Sequence, residues 1–242
     1  MLIAAAVCPH PPLLIPEATG VPGARDAELE RLRTACREAI GVLLAERPDL
    51  IAAVGADPNA AQTAEYPPGA PGRLHDYGVP LTIGQDTGSR ALPLSLTIAK
   101  WLLAGHTSAW WGIAPDAAPA ECLQLGEKLA TLAPRVALLA MGDGPARRAR
   151  AAPHTTDPEA DRYDHQVAGA LAAADPAALA ALDPREDRPL EIAGRAAWQV
   201  LAGAAGDEPG DEQGQDAFDA ELRYRGAPFE VSYVVASWRR AH

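Results

Sequence analysis

The chain has 242 residues and a formal net charge of −11, with 48% hydrophobic and 22% charged residues. This is the make-up of a soluble globular protein with enough chain to bury a sizeable core in one domain spanning 1–242. Its lysines are only Lys100 and Lys128, and the acidic balance argues against a nucleic-acid-binding face, which needs clustered Lys and Arg.

MLIAAAV, at the start, is short and apolar and is ended by Pro9, which predicts a buried strand. From Asp26 to Glu46, apolar residues such as Leu29, Leu32, Cys36, Ile40 and Leu43 recur at steps of three and four, which predicts a helix stopped by Pro48. LIAAVGA, Leu50 to Ala56, reads as a second buried strand broken by Asp57-Pro58-Asn59. A Pro-, Gly- and Ala-rich stretch follows to about Gly78, and an irregular segment of that length is usually functional or mobile. VPLTI reads as a short strand, Leu92 to Ala104 as a helix, TSAWWGI as a strand, Ala120 to Leu132 as a helix and RVALLAMG as a strand. Beyond the loop Gly142 to Thr155, helices are expected at Pro158 to Ala174, at PAALAAL and at Leu190 to Ala205. GDEPGDEQGQD reads as a solvated acidic linker, and ELRY, RGAP and FEVSYVVASW carry a hairpin signal. Strands alternating with helices predict an α/β fold: three α/β/α layers, a mostly parallel central sheet and a C-terminal β-hairpin.

Cys8, Cys36 and Cys122 are odd in number and widely spaced, so they fit neither a disulfide framework nor a zinc pattern and are expected as reduced core residues. The N-terminus lacks the basic region and cleavage site of a signal peptide, and no apolar run nears the roughly 20 residues a bilayer span requires. A cytoplasmic protein without a membrane partner is expected. The adjacent Trp110 and Trp111 read either as an exposed interaction patch or as core.

In an open parallel sheet, sites gather beyond the carboxyl ends of the strands. Three loops leave such ends, and they contain His10, His75 and His154. His10 stands between Pro9 and Pro11. Proline fixes its own φ and restricts the residue before it, so this imidazole is set on a stiff backbone. It suits a metal ligand or a catalytic base, and equally a rigid turn that closes a strand. His75 and Asp76 in GRLHDYG suit a ligand with its orienting carboxylate, or a polar surface. The Gly142-Asp143-Gly144 turn allows close backbone approach to a ligand, and Arg147, Arg148 and Arg150 beyond it suit an anion. No G-x-S-x-G, G-x-x-x-x-G-K or G-x-G-x-x-G pattern supports serine acyl transfer, P-loop chemistry or a nicotinamide dinucleotide site.

CPHPPLLIPE, LIAAVGAD, VALLAMGDG, EADRYDHQVAGALAAADPAALAALDP, GRAAWQVLAGAAG and ELRYRGAPFEVSYVVASW, taken in order, resemble the class III extradiol ring-cleavage dioxygenases, in their catalytic subunit-B-like branch. The likeness spans essentially the whole chain. It implies a non-haem Fe(II) held by two histidines and a glutamate, a catechol-type aromatic substrate, O2 on the same metal, and a further histidine that moves protons. Residue by residue, His10 matches the first metal histidine, and Glu221 is the candidate carboxylate ligand. Asp57, Pro58 and Asn59 stand where the second metal histidine belongs, and Pro145 and Ala146 where the acid–base histidine belongs. His75 as replacement ligand and His154 as replacement acid–base group are expected to fill those places, with Asp57, Asn59 and Asp143 facing the substrate. The alternative expectation is a catalytically degenerate relative that binds a small molecule or uses its pocket for non-oxidative chemistry. The resemblance also implies a homodimer, or a small second subunit, as the partner.

Overall fold

The N-terminal apolar run forms β1 (Leu2–Cys8), and every one of its residues is buried. The structure, a computed structural model, describes residues 1–18, 24–86, 88–106, 108–146, 157–206 and 217–241. After β1 come α1 (Ala24–Ala45), β2 (Leu50–Ala56), β3 (Ala64–Tyr66), β4 (Gly72–Arg73), β5 (Thr82–Ile83), α2 (Leu94–Leu102), β6 (Ser108–Ile113), α3 (Pro119–Ala130) and β7 (Val136–Met141). The remainder is α4 (Pro158–Ala172), α5 (Pro176–Ala180), α6 (Asp187–Leu190), α7 (Arg195–Ala205), β8 (Phe218–Gly226) and β9 (Tyr233–Arg240).

Seven strands form one sheet in the order β3-β6-β2-β7-β1-β9-β8. The four inner strands β6, β2, β7 and β1 run parallel, and β3, β9 and β8 add antiparallel edges. β4 and β5 make a separate two-stranded ribbon. The expected α/β class, layering and C-terminal hairpin are what the structure has.

Successive strand side chains point to opposite faces, so each buried strand feeds two cores. On β7, Val136, Leu138 and Ala140 join the core under α3, α4 and α7. Ala137, Leu139 and Met141 join the one under α1 and α2. β6 divides its tryptophans in the same way: Trp111 enters the first core and Trp110 the second. Both rings are buried, so the pair is core and not an interaction patch.

Several boundaries differ from the sequence expectations for local reasons. The helix expected from Leu190 to Ala205 begins only at Arg195: Leu190 ends the short α6, Glu191 takes a left-handed φ of 52° after it, and the chain restarts at α7. The hairpin does not turn at Arg225-Gly-Ala-Pro228. β8 continues to Gly226, and the residues up to Ser232 form the connection, where Ser232 bonds back to Pro145. The stretch after Asp57 contains β3, β4 and a 3-10 turn at His75–Tyr77. The acidic stretch 207–216 lies outside the described residues. Among the described residues, no helix is long and apolar enough to cross a membrane.

Candidate functional site

Strand register brings three polar side chains to one edge of the sheet. Gly55 of β2 and Cys8 of β1 both pair with Met141 of β7. Two residues further on, past the carboxyl ends of these adjacent strands, stand Asp57, Asp143 and His10. Strands lie about 4.8 Å apart, so the three form a row about 10 Å long with Asp143 in the middle.

The row is held by backbone. Gly142 N–H donates to Cys8 O at 3.0 Å, and Asp57 N–H to Ile113 O at 2.8 Å, which prolongs both ladders past the strand ends. Gly144 N–H reaches Ser232 O at 2.8 Å, and Ala193 N–H reaches Asp143 O at 3.2 Å. The Gly142 backbone packs against the Gly194 backbone and the Trp198 indole, where an added Cβ would lie 2.6 Å from Gly194 Cα and 2.8 Å from Trp198 Nε1. Glycine is required there for space. The loop after Pro11 winds into a 3-10 turn, and the buried Arg33 of α1 ties it down with bonds to Leu14 O and Leu13 O, each 2.8 Å.

His10 is buried, and its backbone N–H donates to Asp143 Oδ1 at 2.8 Å. Its ring Nδ1 stands 3.5 Å from the same oxygen, within ion-pair reach. The geometry falls short of a hydrogen bond, and Nδ1 has no other hydrogen-bond partner among the described residues. Burial pushes the Asp143 carboxyl above the usual carboxylate range, and the His10 ring and N–H oppose that rise. The Tyr233 hydroxyl is likewise pushed up, by burial first and then by the Asp143 charge, so it stays protonated beside the row.

Asp57 is buried and fully engaged. Oδ2 accepts from Tyr66 Oη at 2.5 Å and from Arg90 Nη2 at 2.9 Å, while Oδ1 accepts from Asn59 N–H at 3.0 Å. The Arg90 guanidinium lies 4.5 Å above the Tyr66 ring centroid, and its side chain is 54% exposed. It therefore presents positive charge at the surface end of the row. Burial, then the bond to Asp57, pushes the Tyr66 hydroxyl up.

The other residues expected in the site lie elsewhere. His75 is exposed on its 3-10 turn, near Asp86, whose carboxyl is held down chiefly by its bond from Arg73 and slightly by His75. Glu221 sits in the middle of edge strand β8, opposite Ser237 of β9, and pairs with Arg223 at 2.6 Å. Ser237 in turn faces Ala6 of β1, so Glu221 is two strands and several residues away from His10. Asn59 contributes its backbone N–H to Asp57, and its side chain is exposed. His154 and the three loop arginines, Arg147, Arg148 and Arg150, lie outside the described residues.

An iron held by His10, His75 and Glu221 does not fit this arrangement. Among the described residues, no three His, Cys, Asp or Glu side chains converge so as to hold a metal ion. The carboxylate at the second-histidine place is already bonded to a tyrosine, an arginine and a backbone N–H. Tyr66, Arg90, Arg33 and Tyr233 were not legible as site residues, because the sequence around them carries no motif. Only the register and the loop packing bring them to the row.

No protein-family model matches the chain, and no curated protein matches it. Among solved structures, it is similar to the uncharacterized protein JW3007 of Escherichia coli K12, with a TM-score of 0.53 and 17% sequence identity, over 97% of this chain and 99% of that one. The likeness is one of fold.

Proposed function

We propose that the sheet edge is a small-molecule site in which His10, with Asp143 against it, moves a proton at a hydroxyl of the ligand, without a resident iron. What carries the reading is His10, buried on a stiff backbone, with the partly buried Asp143 against it at the carboxyl ends of parallel strands. The Asp143 carboxyl lies within reach of the imidazole and can exchange a proton with it. A carboxyl with a raised pKa can take up the proton that the ring gives away. Arg90 offers charge to an acidic group on the same ligand. The ligand class is a small hydroxylated aromatic acid.

Titration calorimetry with protocatechuate and catechol tests this. The wild-type chain is expected to prefer the acid-bearing protocatechuate. His10→Ala is expected to weaken its binding about tenfold or more, the worth of one hydrogen bond to a charged group. Equal binding by wild type and His10→Ala would remove the site from the sheet edge.

Iron-dependent ring cleavage is the second reading. It is favoured by the place of His10, where the extradiol enzymes carry their first metal imidazole. Metal content after loading with Fe(II), together with oxygen uptake on catechols, separates the two. One tightly held iron per chain with oxygen consumption supports cleavage, and ligand binding with neither supports the first reading.

A further inference from the structure

The strand register that aligns Asp57, Asp143 and His10 reaches one strand further. β9 pairs antiparallel with β1, with Val7 opposite Ala236. Continued by three residues past the end of that ladder, the same register sets His10 opposite Tyr233, the first residue of β9. The face agrees as well as the position, because side chains alternate along a strand. Cys8, Met141, Val235 and Tyr233 all enter the core under α1 and α2, and His10 and Asp143 stand two residues beyond Cys8 and Met141. Tyr233 therefore extends the row on the same side of the sheet. The order across four strands is Asp57, Asp143, His10, Tyr233, over about 14 Å.

The backbone beside Tyr233 is tied to the turn that carries Asp143. Gly144 N–H donates to Ser232 O at 2.8 Å, and Ser232 N–H donates to Pro145 O at 3.0 Å. A Cβ added at Gly144 would lie 2.9 Å from Ser232 Cβ, so a glycine there is what lets the two segments approach. On its other side Tyr233 pairs with Gly226 of β8.

Its hydroxyl sets Tyr233 apart from two other tyrosines of the α1 and α2 side. Tyr66 Oη donates to Asp57, and Tyr224 Oη donates to Glu28. Tyr233 is 3% exposed, yet among the described residues its hydroxyl makes no hydrogen bond. A hydroxyl so enclosed costs free energy until something accepts its proton. Burial, and then the Asp143 charge acting across the His10 strand, keeps it protonated. It is thus a donor and not a base. Next to it, His10 Nδ1 also lacks a hydrogen bond among the described residues. A nitrogen that can take a proton and a hydroxyl that can donate a hydrogen bond stand on adjacent strands, both without a partner inside the chain.

We propose that Tyr233 binds the ligand oxygen at which His10 moves a proton, donating its O–H to that oxygen as it becomes an anion. Tyr233 acts in this way only if the sheet edge is the small-molecule site proposed above. The proton passes from the ligand hydroxyl to the imidazole, the electron pair stays on the oxygen, and the tyrosine keeps its own proton. A hydrogen bond to an ionised acceptor is about twice as strong as one between neutral groups, so the contact favours the ionised ligand over the neutral one. The two ends of the row then have different tasks: Arg90, at Asp57, takes the acidic group, and Tyr233 takes the hydroxyl.

Spectrophotometric pH titration of bound protocatechuate tests this, because a phenolate absorbs at longer wavelength than its phenol. The samples are wild type, Tyr233→Phe and Tyr224→Phe, with calorimetry for affinity and circular dichroism to confirm folding. Tyr233→Phe keeps the ring and removes only a hydroxyl without a partner, so it is expected to fold. Above the midpoint at which the bound hydroxyl ionises, it is expected to bind about tenfold more weakly than wild type. Its midpoint is expected to lie about one pH unit higher, since a tenfold preference for the ionised form is one unit. Tyr224→Phe, whose hydroxyl serves Glu28, is expected to match wild type in both. A Tyr233→Phe chain with the midpoint of wild type overturns the role of Tyr233 and leaves the His10–Asp143 site standing. An equal shift in Tyr224→Phe overturns it as well, because the effect would then not belong to the hydroxyl in the row. A wild type that binds no protocatechuate overturns the site itself, and the role of Tyr233 with it.

Discussion

Asp57 gives the sharpest test of how the site edge is built. Its carboxylate is 1% exposed and accepts bonds from Tyr66 Oη, Arg90 Nη2 and Asn59 N–H. Asp57→Ala removes all three acceptors. Arg90, half in solvent, turns to water at little cost. The buried Tyr66 hydroxyl has no such exit, and the loss of a charge-assisted bond with a donor left buried costs about 2–3 kcal/mol. The Asn59 N–H lies on an exposed turn and adds a few tenths at most. The expected loss is thus about 3 kcal/mol, or about 6–12 °C in Tm for a chain of this length. Tyr66→Phe removes the stranded donor, leaves Asp57 two partners, and should cost about 1 kcal/mol. In the double variant no donor is left stranded and the total loss should fall to about 1–2 kcal/mol, so a cycle in urea should show about 2–3 kcal/mol of coupling. Additive losses, or an Asp57→Ala chain within 0.5 kcal/mol of wild type, would refute the reasoning, since the triple acceptance would then carry no energy.

Two further outcomes follow from packing and burial. An added Cβ at Gly126 would lie 2.1 Å from Val200 O and 2.5 Å from Ala204 N, both backbone, so α3 and α7 must separate. Gly126→Ala is therefore expected to lose about 2 kcal/mol by urea unfolding, despite about 1 kcal/mol gained in helix propensity, whereas Gly169→Ala, with open space around it, should gain. Burial lifts the Asp187 carboxyl from 3.8 to about 6, against its bond to the buried Arg195. The folded chain thus holds this proton more tightly than the unfolded chain. The contribution to stability is full below pH 4 and is lost as pH rises through 6. The stability difference between wild type and Asp187→Asn should fall by about 2 kcal/mol from pH 4 to 7, and a flat difference would show that Asp187 ionises normally.

The sequence determined the four inner parallel strands and the larger helices, because their signal is local. An apolar run bounded by proline, as in MLIAAAV, can only be a buried strand or a buried helix, and a length of seven decides for the strand. It also picked out His10, since two prolines stiffen a backbone wherever it folds. Glu191 shows where local reading stops: nothing in its identity announces a left-handed φ, and that residue cuts Leu190 off from the helix that starts at Arg195. Only the tertiary structure decided the composition of the site. Asp143 meets His10, and Asp57 meets Tyr66 and Arg90, because strands distant in the chain share one register. The same register carries Glu221 to the far edge and away from the imidazole. Side chains of the right chemistry are a property of composition. Their convergence is set by which strands pair and how far each is shifted, and that is fixed by burial summed over two cores, not by any one segment.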